Sequence, residues 1–148
     1  MRNTLIITVV AAFVAMAFTY APVKTNHHTY KTAFSGIKFD KLSMAKALKQ
    51  AKETEKLIFV DVHTSWCGPC KEMARTTFQS DEVGKVFNKK FINLKIDAET
   101  DADGPDLAKK YSVTAYPTLL FINGEGKLVK RLVGKQSEEK LLSVANNL

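Results

Sequence analysis

Cysteine is scarce in this sequence: the 148 residues contain two, Cys67 and Cys70, and both lie in one short stretch. A small protein that relies on disulfides as a scaffold needs several pairs, so that class is excluded. A structural zinc site normally takes a second pair of cysteines or histidines, and the sequence has no convincing one. The single pair is therefore interpreted as a reactive pair.

A basic stripe is also missing, although the net charge is +7. The lysines and arginines are scattered among aspartates and glutamates, and aromatic residues do not alternate with them. A nucleic-acid-binding surface would concentrate this charge, so we interpret the lysines as a solvated surface and expect no nucleic-acid partner. No internal repeat divides the chain, and one domain of ordinary size is expected.

The long apolar run of the chain lies at its N-terminus. Arg2 precedes an almost wholly apolar stretch, and Ala15-Met16-Ala17 supplies the small residues of a cleavage site. This pattern predicts a secretory signal peptide over residues 1–17, with an uncleaved anchor reaching to about Val23 as the rival interpretation. No cysteine lies near the cut, which excludes lipid attachment there.

A polar segment over residues 18–33 is predicted to link this signal to the fold. It contains His27 and His28, and adjacent histidines do not converge well on one ion, so no metal site is predicted there. The folded domain is expected to cover residues 34–148.

A buried strand and a helix enclose the cysteine pair. Residues 57–62 are β-branched, aromatic and almost continuously apolar, which predicts a strand covered on both faces. Good helix formers follow Cys70, and their helix is expected to run to about Phe78. Cys67 then lies at the N-terminus of that helix, where free N–H groups and the macrodipole stabilise a thiolate. A reactive thiol at Cys67 follows.

The remaining pattern predicts an α/β domain in which strand, helix and strand form a parallel pair with a right-handed crossover. Four further helices are expected: residues 43–56, a helix after Ser80, residues 107–111, and a closing helix after Ser137. The side chains expected to face the core are Met44, Ala45, Leu48 and Ala51 in the first, Val83, Val86 and Phe87 in the second, and Leu141, Leu142 and Ala145 in the last. The further strands are residues 91–96, 119–122 and 128–133, the last two joined by a turn at 123–126.

The acidic loop over residues 97–106 has a second interpretation. Its acids and glycine over residues 99–104 are spaced like part of a calcium-binding loop. Counting from Glu99 places Lys110 where such a loop requires its closing glutamate, so calcium is not predicted. We interpret the segment as a solvated loop that caps the helix at Leu107.

Four features of the sequence together resemble the thioredoxin family. They are Trp66-Cys67-Gly68-Pro69-Cys70-Lys71, Asp61 six positions before the first cysteine, Tyr116-Pro117-Thr118, and the Asn123-Gly124 turn. The resemblance covers residues 34–148 and implies a thioredoxin fold, with a central mixed β-sheet flanked by helices. The residues after the motif are similar to those of the exported branch, which includes the C-terminal thioredoxin-like domain of the bacterial transmembrane disulfide reductase.

The resemblance implies a role for each matching residue. Cys67 corresponds to the family's exposed attacking cysteine and Cys70 to its buried resolving cysteine, and the two form the redox disulfide. Asp61 corresponds to the carboxylate that handles the proton of Cys70. The residues implied in substrate binding are Trp66, Gly68, Pro69, Tyr116, Pro117, Thr118 and Gly134, with Pro117 as the family's cis-proline.

Two positions depart from the family's pattern. Thioredoxins place a lysine in the neighbouring strand close to the buried aspartate, and the corresponding residue here is expected to be Asn93. Without that charge, burial is expected to raise the pKa of Asp61 more freely. His63 lies two residues after Asp61 on the same side of the strand, and it is either a second proton carrier or a hydrogen-bonded packing residue.

The resemblance implies thiol–disulfide exchange on protein disulfides, with no bound cofactor and no metal. Gly68 and Pro69 add no charge to the pair, so we expect a thiol pKa of about 7 and a reduction potential on the order of −200 to −270 mV, which favours a reductase over an oxidase. An exported compartment is oxidising, so the electrons would come from a membrane donor. A monomer in a bacterial envelope is expected.

Two other functional classes stay open on the sequence. One is a thioredoxin-fold binding module in which the cysteines are incidental, and the other is a copper-handling protein whose two sulfurs bind Cu(I). The sequence does not name the substrate or the electron donor.

Overall fold

The computed structural model describes residues 36–148. The predicted signal peptide over residues 1–17 and the linker over 18–33, with His27 and His28, lie outside the described residues. Among the helices of residues 36–148, none has the length and apolar character needed to span a membrane.

A four-stranded mixed sheet forms the centre of the domain. The strand order is β2-β1-β3-β4, with β1 parallel to β2 and antiparallel to β3, and with β3 antiparallel to β4. The predicted mixed sheet and its parallel pair are confirmed. The strands are β1 Leu57–His63, β2 Phe91–Asp97, β3 Thr118–Ile122 and β4 Leu128–Val133.

Five helices and one short 3₁₀ helix flank this sheet. Ser43, Ser80 and Ser137 each cap a helix, because each hydroxyl accepts a hydrogen bond from a backbone N–H in the first turn. The caps predicted at Ser80 and Ser137 are confirmed. The helices are α1 Met44–Thr54, α2 Gly68–Arg75, the 3₁₀ helix Thr77–Gln79, α3 Asp81–Lys90, α4 Gly104–Lys110 and α5 Glu138–Asn146.

Two predicted helix boundaries are wrong. Helix α2 ends at Arg75 and not near Phe78, because Thr76 leaves helical geometry and its hydroxyl, like its N–H, bonds to the carbonyl of Glu72. Helix α4 begins at Gly104 and not at Leu107, since the proline that follows Gly104 fits the first turn of a helix.

The predicted inner faces of two helices are also partly wrong. Helix α1 buries Ala47 together with Ala51, whereas Ala45 is exposed. Ala47 and Ala51 are four residues apart and share a face, and Ala45 lies on the other side of the helix. Helix α5 buries Val144 beside the predicted Leu141 and Ala145, and Leu142 is only half-buried.

The core has an aliphatic side and an aromatic side because the sheet is covered on both faces. The aliphatic side consists of Ile58, Val60, Val62, Ile92, Leu94, Ile96, Leu120 and Ile122 packed against α1 and α4. The aromatic side contains Phe59, Phe78, Phe87, Phe91 and Phe121 with Met73 of α2. Phe59 lies at its centre, with ring centroids 4.8 Å from Phe87 and 5.2 Å from Phe121. This side continues along β1 to Asp61 and His63, since alternate residues of a strand share a face.

The first described residues lie across helix α3 and the outer edge of β2. Ile37 N–H donates to the Phe78 carbonyl at 2.7 Å, and Asp40 N–H donates to the Asn93 carbonyl at 2.8 Å. The approach to α3 is close, because a β-carbon built at Gly84 would lie 2.2 Å from the Gly36 carbonyl oxygen.

Gly84→Ala is expected to destabilise the fold. Alanine normally stabilises a helix by about 1 kcal/mol over glycine, but here its methyl group would force the Gly36 backbone away, and we expect a net loss of about 1–3 kcal/mol in the free energy of unfolding. Urea denaturation measures the change, with Lys85→Ala, at the next and exposed position, as control. A Gly84→Ala protein more stable than the parent would contradict the packing described above.

Candidate active site

The cysteine pair closes a disulfide at the start of α2. The two sulfurs are 2.02 Å apart, and Cys67 is the N-cap residue of the helix. The backbone N–H of Cys70 donates to the Cys67 sulfur at 3.2 Å. The sulfur thus takes the position that a side-chain oxygen takes at other helix caps, facing the positive end of the helix dipole.

Both cysteines are buried in the disulfide form. Cys67 is 3% exposed and Cys70 is 2% exposed, so the prediction of Cys67 as the exposed member is wrong for this state. The Cys67 sulfur is bonded to the other sulfur and turned toward the helix amide, which covers it. The exposed residues around the pair are Trp66, Gly68 and Pro69.

Trp66 is an exposed ring with two fixed contacts. Its side chain is 64% exposed, yet the ring lies edge-on to Tyr116 with the centroids 5.8 Å apart. Its Nε1–H donates to both carboxylate oxygens of Glu99, at 3.2 and 3.0 Å. A large aromatic ring held in place beside a reactive group is suited to contact a partner.

The loop before β3 lies at the same end of the sheet as the disulfide. Its Tyr116–Pro117 peptide bond is cis, and the Thr118 hydroxyl donates to the Ala115 carbonyl at 2.7 Å. The Pro117 carbonyl accepts a hydrogen bond from the N–H of Gly134 at 2.8 Å. A β-carbon at Gly134 would meet nothing within 4 Å, so the space beside it is open.

Asp61 is a fully buried carboxylate on the aromatic side of β1. Neither of its oxygens has a hydrogen-bond donor among residues 36–148, and the ammonium of Lys95 lies 3.8 Å from Oδ2. Burial raises the pKa of Asp61 from 3.8 to about 6, and the positive charges of Lys95 and then His63 act in the opposite direction.

The lysine expected to be absent is present in β2. Asp61 is in register with Lys95, whereas Asn93 is in register with Phe59, so the assignment of Asn93 to the lysine position is wrong. Both residues occupy the same face of the strand, because a shift of two positions preserves the face. Asn93 instead donates through Nδ2 to the side chain of Asn88 at 3.2 Å.

His63 is half-buried at the end of β1. Its Nδ1 lies 2.9 Å from the carbonyl oxygen of Ile96. A carbonyl only accepts, so Nδ1 carries the donated hydrogen, and Nε2 remains able to bind a proton. In its cationic form His63 favours the ionised forms of both Asp61 and Asp97.

Comparison with known proteins identifies this arrangement. A family described as "Thioredoxin-like domain" matches residues 44–148. The chain belongs to the thioredoxin-like family. Among plant relatives, it is 33% identical to Thioredoxin H2 of Arabidopsis thaliana over 61% of this chain and 62% of that protein. It is 34% identical to a thioredoxin H-type protein of Fagopyrum esculentum over 66% and 77% of the two.

Solved thioredoxin-like structures support the exported branch. A candidate disulphide-isomerase from Bacteroides thetaiotaomicron is 49% identical, with a TM-score of 0.66 over 74% of this chain and 90% of that chain. The DsbH oxidoreductase is 25% identical, with a TM-score of 0.65 over 78% and 88%. The C-terminal domain of Neisseria meningitidis DsbD is 23% identical, with a TM-score of 0.59 over 75% and 97%. At this identity the likeness shows the fold alone. The predicted thioredoxin resemblance is confirmed, and the chain is a thiol–disulfide oxidoreductase with a Cys67–Cys70 pair.

Sequence reasoning missed two residues of this thioredoxin-like site, Lys95 and Glu99. Lys95 carried a usable signal, because it is the one charged residue of the predicted strand over residues 91–96. Glu99 carried none, since it is one of several acids in a loop. Lys95 and His63, the two residues whose positive charges lower the pKa of Asp61, also line an open cleft of about 570 Å³ between the β2–α4 loop and the segment before α1.

The acids of the β2–α4 loop bind backbone groups. Asp97 Oδ1 accepts from the N–H groups of Glu99 and Thr100, and Asp101 Oδ2 accepts from the N–H of Asp97. Asp103 is the N-cap residue of α4, as predicted for this loop, but its side chain makes no capping bond there. Its Oδ2 instead accepts a hydrogen bond from the N–H of Met44, the first residue of α1. Within residues 36–148 no group of three His, Cys, Asp or Glu side chains is placed to hold a metal ion.

Asp61→Asn is expected to stabilise the disulfide form at neutral pH. The folded protein holds the Asp61 proton more tightly than the unfolded chain does, so its stability falls as pH rises from 3.8 to about 6. The introduced amide carries no titrating proton, so the variant does not lose stability over this pH range. Its free energy of unfolding should exceed that of the parent by about 2–3 kcal/mol above about pH 6 and should equal it below pH 3.8.

Urea denaturation at about pH 3.5 and about pH 7.5 measures this difference. Asp40→Asn, at an exposed aspartate, is the control and should show no such trend. An Asp61→Asn advantage independent of pH would contradict a raised pKa for the buried carboxyl.

Proposed function

We propose that this protein is an exported protein-disulfide reductase that works through its Cys-Gly-Pro-Cys dithiol. The observation that carries the proposal is the Cys67 sulfur at the N-terminus of α2, 3.2 Å from the backbone nitrogen of Cys70. In the reduced protein, the same amide and the helix dipole would stabilise a Cys67 thiolate, which is the form that attacks disulfides.

The exchange runs in two steps and balances without an added reagent. The Cys67 thiolate attacks one sulfur of the substrate disulfide, forming a mixed disulfide and releasing the other substrate sulfur as a thiolate, which takes a proton from water. Cys70 then loses its proton and attacks the Cys67 sulfur, so that the Cys67–Cys70 disulfide forms and the second substrate thiol leaves.

Asp61 is the group proposed to accept the Cys70 proton. A base must be ionised to accept, and its pKa of about 6 keeps most of it ionised at neutral pH while leaving it more basic than an ordinary aspartate. Lys95, at 3.8 Å, limits how far burial raises that pKa. His63 adds positive charge from the same side and is proposed as an accessory proton carrier into the adjoining cleft.

The substrate chain is proposed to lie across the residues around the disulfide, of which Trp66, Gly68 and Pro69 are exposed, whereas Pro117 and Thr118 are buried. Trp66 and Tyr116 form an aromatic wall on one side. The cis Pro117 directly precedes β3, which begins at Thr118, and Gly134 leaves open space beside them. Gly68 and Pro69 are the first two residues of α2, and both are exposed.

Reduction is the favoured direction because Gly68 and Pro69 place no charge beside the sulfurs. A strong oxidant needs a much more acidic attacking thiol than such a pair supplies. The predicted signal peptide over residues 1–17 supports an exported, periplasmic location in a bacterial envelope, either free or anchored, as a monomer. An oxidising compartment would then require a membrane protein as electron donor.

Cys67→Ser is expected to abolish disulfide reduction, because serine does not attack disulfides under these conditions. The measurement is the turbidity of insulin reduced in the presence of dithiothreitol, with Ser65→Ala, at an exposed neighbour, as control. An undiminished rate for Cys67→Ser would favour the binding-module interpretation.

Cys70→Ser is expected to accumulate the mixed disulfide with Cys67, since the second step is removed. Non-reducing electrophoresis followed by mass spectrometry of the trapped species measures this and identifies the substrate. Absence of any Cys67-linked protein would count against protein disulfides as substrates.

The rate of the second step is expected to rise with pH as Asp61 ionises. Of the two positive charges that lower the Asp61 pKa, Lys95→Met removes the one with the larger effect and His63→Gln removes the one with the smaller effect. Both variants should shift the rise to higher pH, Lys95→Met further than His63→Gln. Stopped-flow resolution of a mixed disulfide between about pH 5 and about pH 8 measures the profile, with Lys71→Met as a surface control. A profile unchanged in Lys95→Met would overturn the assigned role of Asp61.

A further inference from the structure

Glu99 lies at the rim of the exchange site in direct contact with Trp66. Both of its carboxylate oxygens face the indole Nε1–H, at 3.2 and 3.0 Å. Trp66 immediately precedes Cys67, and its other contact is the edge-on ring of Tyr116. The orientation of the exposed indole beside the attacking sulfur therefore depends on one carboxylate and one ring.

The backbone around Glu99 is itself held to the sheet. The Ala98 N–H donates to the His63 carbonyl at 2.8 Å, so the loop continues the pairing between β1 and β2. The Glu99 and Thr100 N–H groups donate to Asp97 Oδ1 at 2.9 and 3.2 Å. These three bonds fix the backbone at Glu99 relative to the end of β1.

Glu99 is exposed, and no cation neutralises it within residues 36–148, where the carboxylates in ion pairs are Glu53, Asp61 and Glu72. Asp97 lies two residues before it, and the hydrogen bond from the Glu99 N–H is the main reason that the pKa of Asp97 is lowered. The rim beside Trp66 thus carries negative charge, although the chain as a whole is basic.

The opposite side of the site carries charges of both signs. The sheet order β2-β1-β3-β4 puts the loop after β2 and the loop after β4 on opposite sides of β1 and β3, at the same end of the sheet. The loop after β4 presents Lys135, which is paired with Glu72 of α2 at 2.8 Å. Glu138 and Glu139 lie in the same groove as that pair, so carboxylates are present on both sides of the disulfide. The carboxylate in direct contact with the indole is Glu99, on the Trp66 side.

We propose that Glu99 is a specificity-determining residue, which holds Trp66 in position and favours polypeptide disulfides that carry a lysine or arginine near the attacked cysteine. The proposal rests on the proposed reductase function. Charges at the rim of an interface act mainly on the association rate and are screened by salt. We expect a preference of about two- to five-fold for a basic over an acidic neighbour, the range that exposed charge pairs produce.

Two disulfide-containing peptides test the proposal, identical except for a lysine or a glutamate two residues from one cysteine. The full chain should reduce the lysine peptide with the higher kcat/KM, and the preference should shrink as salt is added. Glu99→Gln keeps an oxygen that accepts from the indole but loses the charge, so it should abolish the preference. Glu99→Ala also loses the acceptor, so kcat/KM should fall for both peptides.

Trp66 fluorescence reports the positioning role separately, because the chain has one tryptophan. Its anisotropy should fall in Glu99→Ala and stay unchanged in Glu99→Gln. The matched control is Glu125→Gln, which removes an exposed carboxylate from the β3–β4 turn at the far end of the sheet and should keep the preference.

A preference that survives in Glu99→Gln would overturn the role of the charge, and unchanged Trp66 anisotropy in Glu99→Ala would overturn the positioning. Equal rates for the two peptides with the parent protein would overturn the proposal while leaving the reductase function intact. Failure of the parent protein to reduce either peptide would overturn both.

Discussion

The hydrogen bond from the Cys70 amide to the Cys67 sulfur is the contact on which the chemistry of this domain depends. It exists because β1 ends just before the motif and α2 begins within it, so the first sulfur caps the helix. The core on both faces of the sheet holds the strand and the helix in that relation, with Met73 of α2 packed among the phenylalanines. At other helices of this domain a side-chain oxygen accepts the hydrogen bond from the equivalent amide. At α2 the acceptor is a sulfur, and only a sulfur can exchange disulfides.

A second constraint is the burial of Asp61 beside one cation. Burial alone makes an ionised carboxylate costly and raises its pKa, whereas a close lysine alone would lower that pKa. The two effects oppose each other in this fold, and burial prevails, with a pKa of about 6. Lys95 and His63 both line an open cleft, so the two charges that lower the pKa of Asp61 lie at the edge of the buried region around it.

Much of the fold followed from local patterns. Continuous apolar strands, serine caps and the Asn123-Gly124 turn each depend on residues that are close together along the chain. Most elements therefore lie within a few residues of their expected bounds. The errors arose where neighbours decided the outcome. Thr76 ended α2 by bonding its hydroxyl to Glu72, and Asn93 was mistaken for the partner of Asp61 because it shares a face with Lys95 and only strand register separates the two.

The sequence by itself determined the reactive pair, the helix that begins at it and the family to which the chain belongs, because these depend on residues close together along the chain. Tertiary structure alone decided that Lys95 faces Asp61, that Asp103 accepts a hydrogen bond from the first N–H of α1, and that Glu99 contacts Trp66. Each of these contacts joins segments more than thirty residues apart. The distance between such groups is set by sheet register and loop path, which a linear pattern of residue types does not specify.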